Sequence, residues 1–163
     1  MLSIRFLAAC GAAATLSGCS LAVRAPAACD LLSAAEIASV LHATSVQKEK
    51  DSGFNAATGI DSCHWTADGR TGLELRLYRA DSSAESAWAL VFESAKVHAT
   101  RPDATGHVRG HSVSGVGDDA MFLSGSSGDA SVAFRVGRTG ATLAAGASED
   151  VLVDLAKRVA GRL

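Results

Sequence analysis

Several residue types are scarce in this chain of 163 residues, and each scarcity excludes a class of protein. Two prolines and no low-complexity tract argue against a disordered chain. Aromatic residues make up only 5%, so we expect a core built mainly from Leu, Val, Ile and Ala. The 15 basic and 17 acidic side chains leave a net charge of -2 without long blocks of one sign. We therefore expect no nucleic-acid partner, because a phosphate backbone needs a concentrated basic surface.

No apolar run reaches the roughly 20 residues that a membrane-spanning helix needs. The N-terminus instead carries Arg5 and then an apolar stretch over residues 6–16, which is typical of a signal peptide. That stretch ends in Leu16-Ser17-Gly18-Cys19, which resembles the bacterial lipobox. We predict that residues 1–18 are removed, that Cys19 becomes lipidated, palmitate included, and that residues 19–28 form a short tether. An ordinary secretory signal peptide, with Cys19 an incidental thiol, is the alternative.

The lipid group predicts where the protein resides. Two or three acyl chains on Cys19 would give stable anchoring, whereas a single myristoyl chain binds reversibly. Ser20 follows the cysteine, and resemblance to diderm lipoproteins then implies the periplasmic side of the outer membrane. In a monoderm host the same signal implies the exterior of the cell membrane. The expected localisation is therefore the cell envelope.

The chain has four cysteines, and two of them are expected to remain free to pair. Cys10 would leave with the leader and Cys19 would carry lipid, so Cys29 and Cys63 remain in a compartment where disulfides persist. We predict a Cys29–Cys63 disulfide. A reactive thiol pair and a zinc site with His64 are the alternatives, but neither cysteine belongs to a C-x-x-C unit.

Hydrophobic periodicity and capping signals predict three helices and several hairpins in one domain over residues 29–163. Ser33 and Glu36 form a capping box at the first helix, a second capping box lies at residues 82–85, and Ser148 caps the last helix. Asp68-Gly69 predicts a hairpin turn. Leu73, Leu75 and Leu77 then alternate with polar residues, which indicates a half-buried strand. Successive hairpins predict an α+β fold with an antiparallel sheet, helices packed on one face, and two sheet-then-helix halves.

Three short motifs in this domain resemble a family of small secreted bacterial lipoproteins of unknown function, common in actinobacteria. They are Cys29-Asp30-Leu31-Leu32-Ser33-x-x-Glu36, then Cys63-x-Trp65, then Gly115-Val116-Gly117-Asp118-x-Ala120. The resemblance spans residues 29–163. It implies an α+β domain in which a disulfide joins the first helix to the sheet, and it implies no catalytic residues.

Three histidines form the group of residues that most resembles a metal site. His98, His107 and His111 precede Asp118 and Asp119, and imidazole and carboxylate are common ligands of transition metals. Glycines beside the second and third histidines oppose a shared helical face, and no H-E-x-x-H pattern is present. A solvated linker at residues 100–111 is the favoured interpretation, so we predict no metal ligands and no cofactor.

The remaining candidate motifs also favour structural roles. Gly110-His111-Ser112-Val113-Ser114 lacks the final glycine of a nucleophile elbow, and the glycine pairs near residues 115 and 125 lack the lysine of a phosphate loop. Trp65 and Trp88 are interpreted as core residues. Because these motifs are incomplete, we predict that the chain has no catalytic residues and is not an enzyme.

The sheet supplies the best candidate surface for binding. Glu74, Arg76 and Tyr78 share the polar side of one strand, so they would form either a docking surface or a solvated face with a cross-strand ion pair. The sequence therefore predicts a noncatalytic, lipid-anchored envelope domain that binds an envelope protein or a small ligand, through either its sheet face or the linker at residues 100–111. A metal-handling or enzyme-accessory lipoprotein is the alternative hypothesis.

Overall fold

The structure is a computed structural model that describes residues 26–49, 52–69, 71–79, 86, 88–90, 92–93, 109–124 and 130–163. A 3-10 turn at Ala28–Asp30 precedes helix α1 (Ala34–Leu41) and strands β1 (Val46–Lys48), β2 (Gly53–Asn55), β3 (Ile60–Ala67) and β4 (Thr71–Tyr78). Residues 86, 88–90 and 92–93 are helical and are called the central helical segment. Strands β5 (Gly110–Ser112), β6 (Asp119–Ser124), β7 (Ala130–Val136) and β8 (Thr139–Ala145) follow, and helix α2 (Glu149–Ala160) comes last.

All eight strands form one antiparallel sheet, which confirms the predicted α+β class. The order is β1-β3-β4-β8-β7-β6-β5, with β2 also paired to β3 along the edge that β1 occupies. Each half of the sheet is a meander followed by helical residues. The halves join where β4 pairs with β8, which brings residues 62 to 72 positions apart in sequence into one register.

The inner face of the sheet carries the main core. One row of facing residues crosses five strands, and its members are all buried: Cys63, Leu75, Leu143, Val132 and Phe122. Helices α1 and α2 cover this face, and Leu152, Leu155 and Val159 of α2 are completely buried against it. Every second residue along β3, β4, β7 and β8 lies on this face, which places one side of each of these strands in the core.

The central helical segment packs on the opposite, outer face. Trp88 and Phe92 stack with ring centroids 4.8 Å apart and form a second cluster with Tyr78, Met121 and Ala133. The prediction that helices cover one face thus holds for α1 and α2 but is wrong for this segment. The outer rows of β4, β6 and β7 contain apolar residues that also need covering, and strand alternation alone cannot say which helix covers which face.

The turns follow local sequence. Asp68 and Gly69, with φ of 50° and 68°, connect β3 to β4 as the Asp-Gly pair predicts. The α1 capping box is present: Ser33 Oγ accepts from the Glu36 backbone N–H at 3.2 Å, and Glu36 Oε2 accepts from the Ser33 backbone N–H at 3.0 Å. Ser148 occupies the N-cap of α2, but its side chain makes no capping hydrogen bond.

The structure describes the start of the domain from residue 26 onward. Ala28, which the sequence assigns to the tether, is fully buried and begins the 3-10 turn, so the fold starts before Cys29. Among the described residues, no helix is long and apolar enough to cross a membrane. The predicted signal peptide, Cys19, and the capping box at residues 82–85 lie outside the described residues.

Candidate interaction surfaces

The N-terminal segment is attached to the sheet by three links, which together we call the tether seat. The first is the Cys29–Cys63 disulfide, which confirms the predicted pairing, with the two Cα atoms 5.1 Å apart. The second is the Asp61 carboxylate, which accepts from the Ala28 backbone N–H at 3.0 Å. The third is Arg79, which donates to the Pro26 carbonyl at 2.5 Å. The chain therefore enters the fold at a fixed position.

Asp61 is buried, so its carboxylate needs both a hydrogen-bond donor and a partner of opposite charge. Asp61 is 5% exposed, and its Oδ2 lies 3.3 Å from an Arg79 guanidinium nitrogen. A carboxylate removed from water is costly unless it is paired and hydrogen-bonded, and here it is both. The sequence analysis did not single out this pair. The sequence did contain an indication that Asp61 is buried, because Asp61, Cys63 and Trp65 are alternate residues and therefore lie on the same side of β3.

A groove of about 510 Å³ lies beside the tether seat, and we call it the proximal groove. Ala27 and Cys29 of the seat line it together with Lys48, Phe54, Asp61 and Arg79. Phe54 is 62% exposed, whereas most of the large apolar side chains described here are buried. This surface therefore combines an apolar ring and a cation next to the point where the chain enters the fold.

The outer sheet patch is the exposed corner of the outer face, away from Trp88. Its members are half-buried or exposed: His64, Glu74, Arg76, Ser131, Thr142 and Ala144. His64 Nε2 lies 3.5 Å from Glu74 Oε1 across the β3–β4 pair, and Arg76 donates to the same carboxylate oxygen. The Glu74 hydrogen bond raises the pKa of Arg76, because it stabilises the guanidinium form.

One residue that was predicted to belong to this exposed surface is buried instead. Tyr78 shares the outer side of β4 with Glu74 and Arg76, as the alternation predicts, but it is only 5% exposed. Trp88 and Phe92 cover it. The surface available for docking is therefore the polar corner around Glu74 and Arg76, without the tyrosine ring.

A second groove of about 660 Å³, the distal groove, lies at the opposite end of β3. It is bounded by the end of α1, the turn after β3 and the start of α2. Asp68 in its wall accepts hydrogen bonds from Thr44 and Ser45, and these bonds, led by the one from the Thr44 hydroxyl, lower the pKa of the Asp68 carboxyl. That carboxylate is thus engaged in joining the loop before β1 to the turn.

The structure describes only one of the three histidines in the candidate metal group. His98 and His107 lie outside the described residues, so the prediction of no metal ligands and the metal-handling alternative both stay open to experiment. His111 lies on edge strand β5, where its Nε2 is 2.8 Å from Glu149 Oε1 and its ring packs against Phe122 at 5.6 Å. In the part of the chain that the structure describes, no group of three or more His, Cys, Asp or Glu side chains is placed to hold a metal ion.

The glycine motif before β6 is a structural turn. Gly115 and Gly117 have φ of 76° and 57°, and Val116 between them is buried. Asp118 then accepts from the Gly137 backbone N–H at 2.6 Å, which ties this turn to the β7–β8 hairpin. Ser112 lies on the short edge strand β5 rather than on a sharp strand-to-helix turn, so the nucleophile-elbow geometry is not formed there.

Glu36 joins the two ends of the described chain. Its carboxylate receives Arg162 from the end of α2, and Arg162 also donates to the Leu31 carbonyl at 2.5 Å. The Arg162 hydrogen bonds, followed by those of Ser33, lower the pKa of Glu36 from 4.5 to about 2. The first motif of the resemblance therefore serves helix capping and terminal docking in this fold.

We expect Glu36→Gln to cost about 1 to 2 kcal/mol at neutral pH, because Gln keeps the capping geometry but loses the charge facing Arg162. The pKa of Glu36 is lower in the folded state, so its stabilisation is present above pH 4.5 and declines as the pH falls toward about 2. Urea unfolding of both proteins near neutrality and at about pH 2.5 measures the difference, which should shrink at the lower pH.

Asp154→Asn provides the control for this prediction. Asp154 forms an exposed i,i+4 pair with Arg158 at 3.0 Å, and such pairs contribute only about 0.3 to 0.5 kcal/mol. A Glu36→Gln cost that is no larger than that of Asp154→Asn would contradict the assigned role.

No protein-family model, curated protein or solved structure matches the chain.

Proposed function

We propose that the protein is a noncatalytic, lipid-anchored domain of the cell envelope that binds a partner through the outer sheet patch. The lipobox at residues 16–19 supports the anchor, and the expected location is the outer membrane in a diderm host or the cell-membrane exterior in a monoderm host. The noncatalytic assignment follows from the catalytic templates, which fail on spacing in the sequence. Attachment of the fold close to the membrane would be its main physical property.

The observation that carries the proposal is the tether seat. Only six residues separate Cys19 from Pro26, and Pro26, the first residue that the structure describes, is held by Arg79. Asp61 and the Cys29–Cys63 disulfide hold the residues that follow. Such a short connection to a triply fixed entry point suits a domain that works at a set distance from a lipid anchor.

The outer sheet patch supports the binding role. Charges of both signs lie together there, since Arg76 pairs with Glu74. His64 lies on the other side of Glu74, and Ser131 and Ala144 place small side chains next to this pair. The Arg76 side chain is 48% exposed, so it can contact a partner while it keeps its hydrogen bond to Glu74. A protein surface with complementary charges fits this chemistry better than a small apolar ligand.

One experiment tests both parts of this proposal. The protein is expressed in its envelope with a photoreactive side chain at Thr142, inside the patch, with Cys19 intact or changed to Ser. Mass spectrometry of the N-terminal peptide should show diacylglyceryl-modified Cys19, and one dominant cross-linked partner should appear in the Cys19 form alone. Arg76→Glu should reduce that product, whereas Arg158→Glu on helix α2 should not. An unmodified Cys19 peptide contradicts the anchor, and a product insensitive to Arg76→Glu contradicts the patch.

A further inference from the structure

The proximal groove presents apolar surface to solvent at the edge of the sheet. Phe54 lies on β2, whose three residues are all exposed, and its side chain packs into no core cluster of the described residues. An exposed aromatic ring has a free-energy cost in water and gains from an apolar or interfacial environment. Its position beside the tether seat indicates what that environment is.

The length of the tether limits how far this surface can lie from the anchor. Seven Cα–Cα steps separate Cys19 from Pro26, so the two cannot be more than about 25 Å apart even when the chain is fully extended. Ala27, the next residue, already lines the proximal groove. Any lipid on Cys19 therefore keeps the groove within one tether length of the bilayer surface.

The groove also has the chemistry that a membrane interface prefers. Aromatic rings concentrate at the level of lipid headgroups, and lysine stems lie along apolar surface while their ammonium groups reach phosphates. Lys48 lines the groove near Phe54 and is exposed. Arg79, in contrast, is engaged with Asp61 and Pro26, so its charge is largely offset.

We propose that the surface around Phe54 rests on the bilayer that carries the anchor, with the Phe54 ring in the headgroup interface and Lys48 against lipid phosphates. The inference rests on the proposed lipidation of Cys19 and deepens it, because it gives the anchored domain a defined orientation. The outer sheet patch, on the face that Trp88 partly covers, then lies to the side of this contact and stays accessible.

Tryptophan fluorescence tests the contact. Phe54→Trp is introduced into the lipidated protein, which is reconstituted in vesicles of phosphatidylethanolamine and phosphatidylglycerol with or without brominated acyl chains. The native Trp65 and Trp88 are 2% and 7% exposed, so they supply a constant background that the parent protein measures. The introduced indole should shift its emission to the blue and be quenched by the brominated lipids.

Leu90→Trp is the matched control. Leu90 is 73% exposed, but it belongs to the central helical segment, which packs on the outer face. Its indole should remain accessible to iodide and insensitive to bromine. Equal bromine quenching at both positions, or none at either, overturns the proposal. A blue shift of Phe54→Trp without bromine quenching also overturns it, because protein, such as a second copy, would then cover the ring.

Failure of the anchor is distinguishable from failure of this inference. If mass spectrometry shows that Cys19 carries no lipid, the chain is attached instead through an N-terminal hexahistidine at residue 20 to vesicles with nickel-chelating lipids. Bromine quenching confined to Phe54→Trp on those vesicles supports the membrane contact by itself. Its absence there overturns the contact whatever the state of Cys19.

Discussion

Removing the Cys29–Cys63 disulfide is expected to lower the free energy of unfolding by roughly 3 to 4 kcal/mol. The two cysteines are 34 positions apart, and the chain-entropy relation gives about this value for a loop of that size. Cys63 also lies at the end of the fully buried row that crosses the sheet. The loss should lower the melting temperature by roughly 10 to 15 °C for a domain of this size.

The measurement compares three samples by thermal and urea unfolding: the oxidised protein, the protein reduced in denaturant and refolded under reductant, and the Cys29→Ala/Cys63→Ala double variant. The reduced protein and the double variant should unfold at similar, lowered midpoints. Reductant should leave the double variant unchanged, which controls for nonspecific effects. An oxidised protein that melts at the same temperature as its reduced form would rule out a stabilising role for the bridge.

Gly117→Ala is expected to cost about 3 kcal/mol or more. A Cβ at this position would run into the carbonyl oxygen of Arg135, the same oxygen that accepts the Asp118 backbone N–H at 2.7 Å. The substitution would therefore add left-handed backbone strain, with φ at 57°, and disrupt the hydrogen bonds that join this turn to the β7–β8 hairpin.

Gly137→Ala separates these two contributions. Gly137 has the same φ of 57°, but nothing lies within 4 Å of the position that its Cβ would take. Its substitution should cost only about 1 to 2 kcal/mol, the strain of the left-handed conformation. Urea unfolding of both variants measures the difference, and circular dichroism checks that each retains its sheet. Equal costs for the two substitutions would exclude the clash with Arg135 as the reason for glycine at position 117.

Local sequence was sufficient for much of the fold. The Ser33 and Glu36 capping box, the Asp68-Gly69 turn and the apolar side of β4 were all predicted, because each depends on residues close together in the chain. The Cys29–Cys63 disulfide was also predictable, since these two cysteines remain once the leader and lipobox cysteines are set aside. The lipobox, the Ser20 sorting inference and the family resemblance stay predictions.

The candidate surfaces were harder to predict from the sequence than the secondary structure. Tyr78 was expected beside Glu74 and Arg76, and alternation did assign all three to one side of β4. Alternation cannot show, however, that Trp88, ten positions further along the chain, packs back over the tyrosine. Gly140 makes room for this approach, because any Cβ there would meet the Trp88 ring.

The sequence by itself therefore determined most of the helices and strands and the disulfide partners, since these follow from periodicity, capping and residue counting. Only the tertiary structure decided that Asp61 and Arg79 hold the entering chain, that Phe54 remains exposed beside it, and that Glu36 meets Arg162 across 126 positions. The physical reason is that strand pairing and helix packing set which distant residues become neighbours. Burial and charge pairing, which define the candidate surfaces, depend on those neighbours rather than on local sequence.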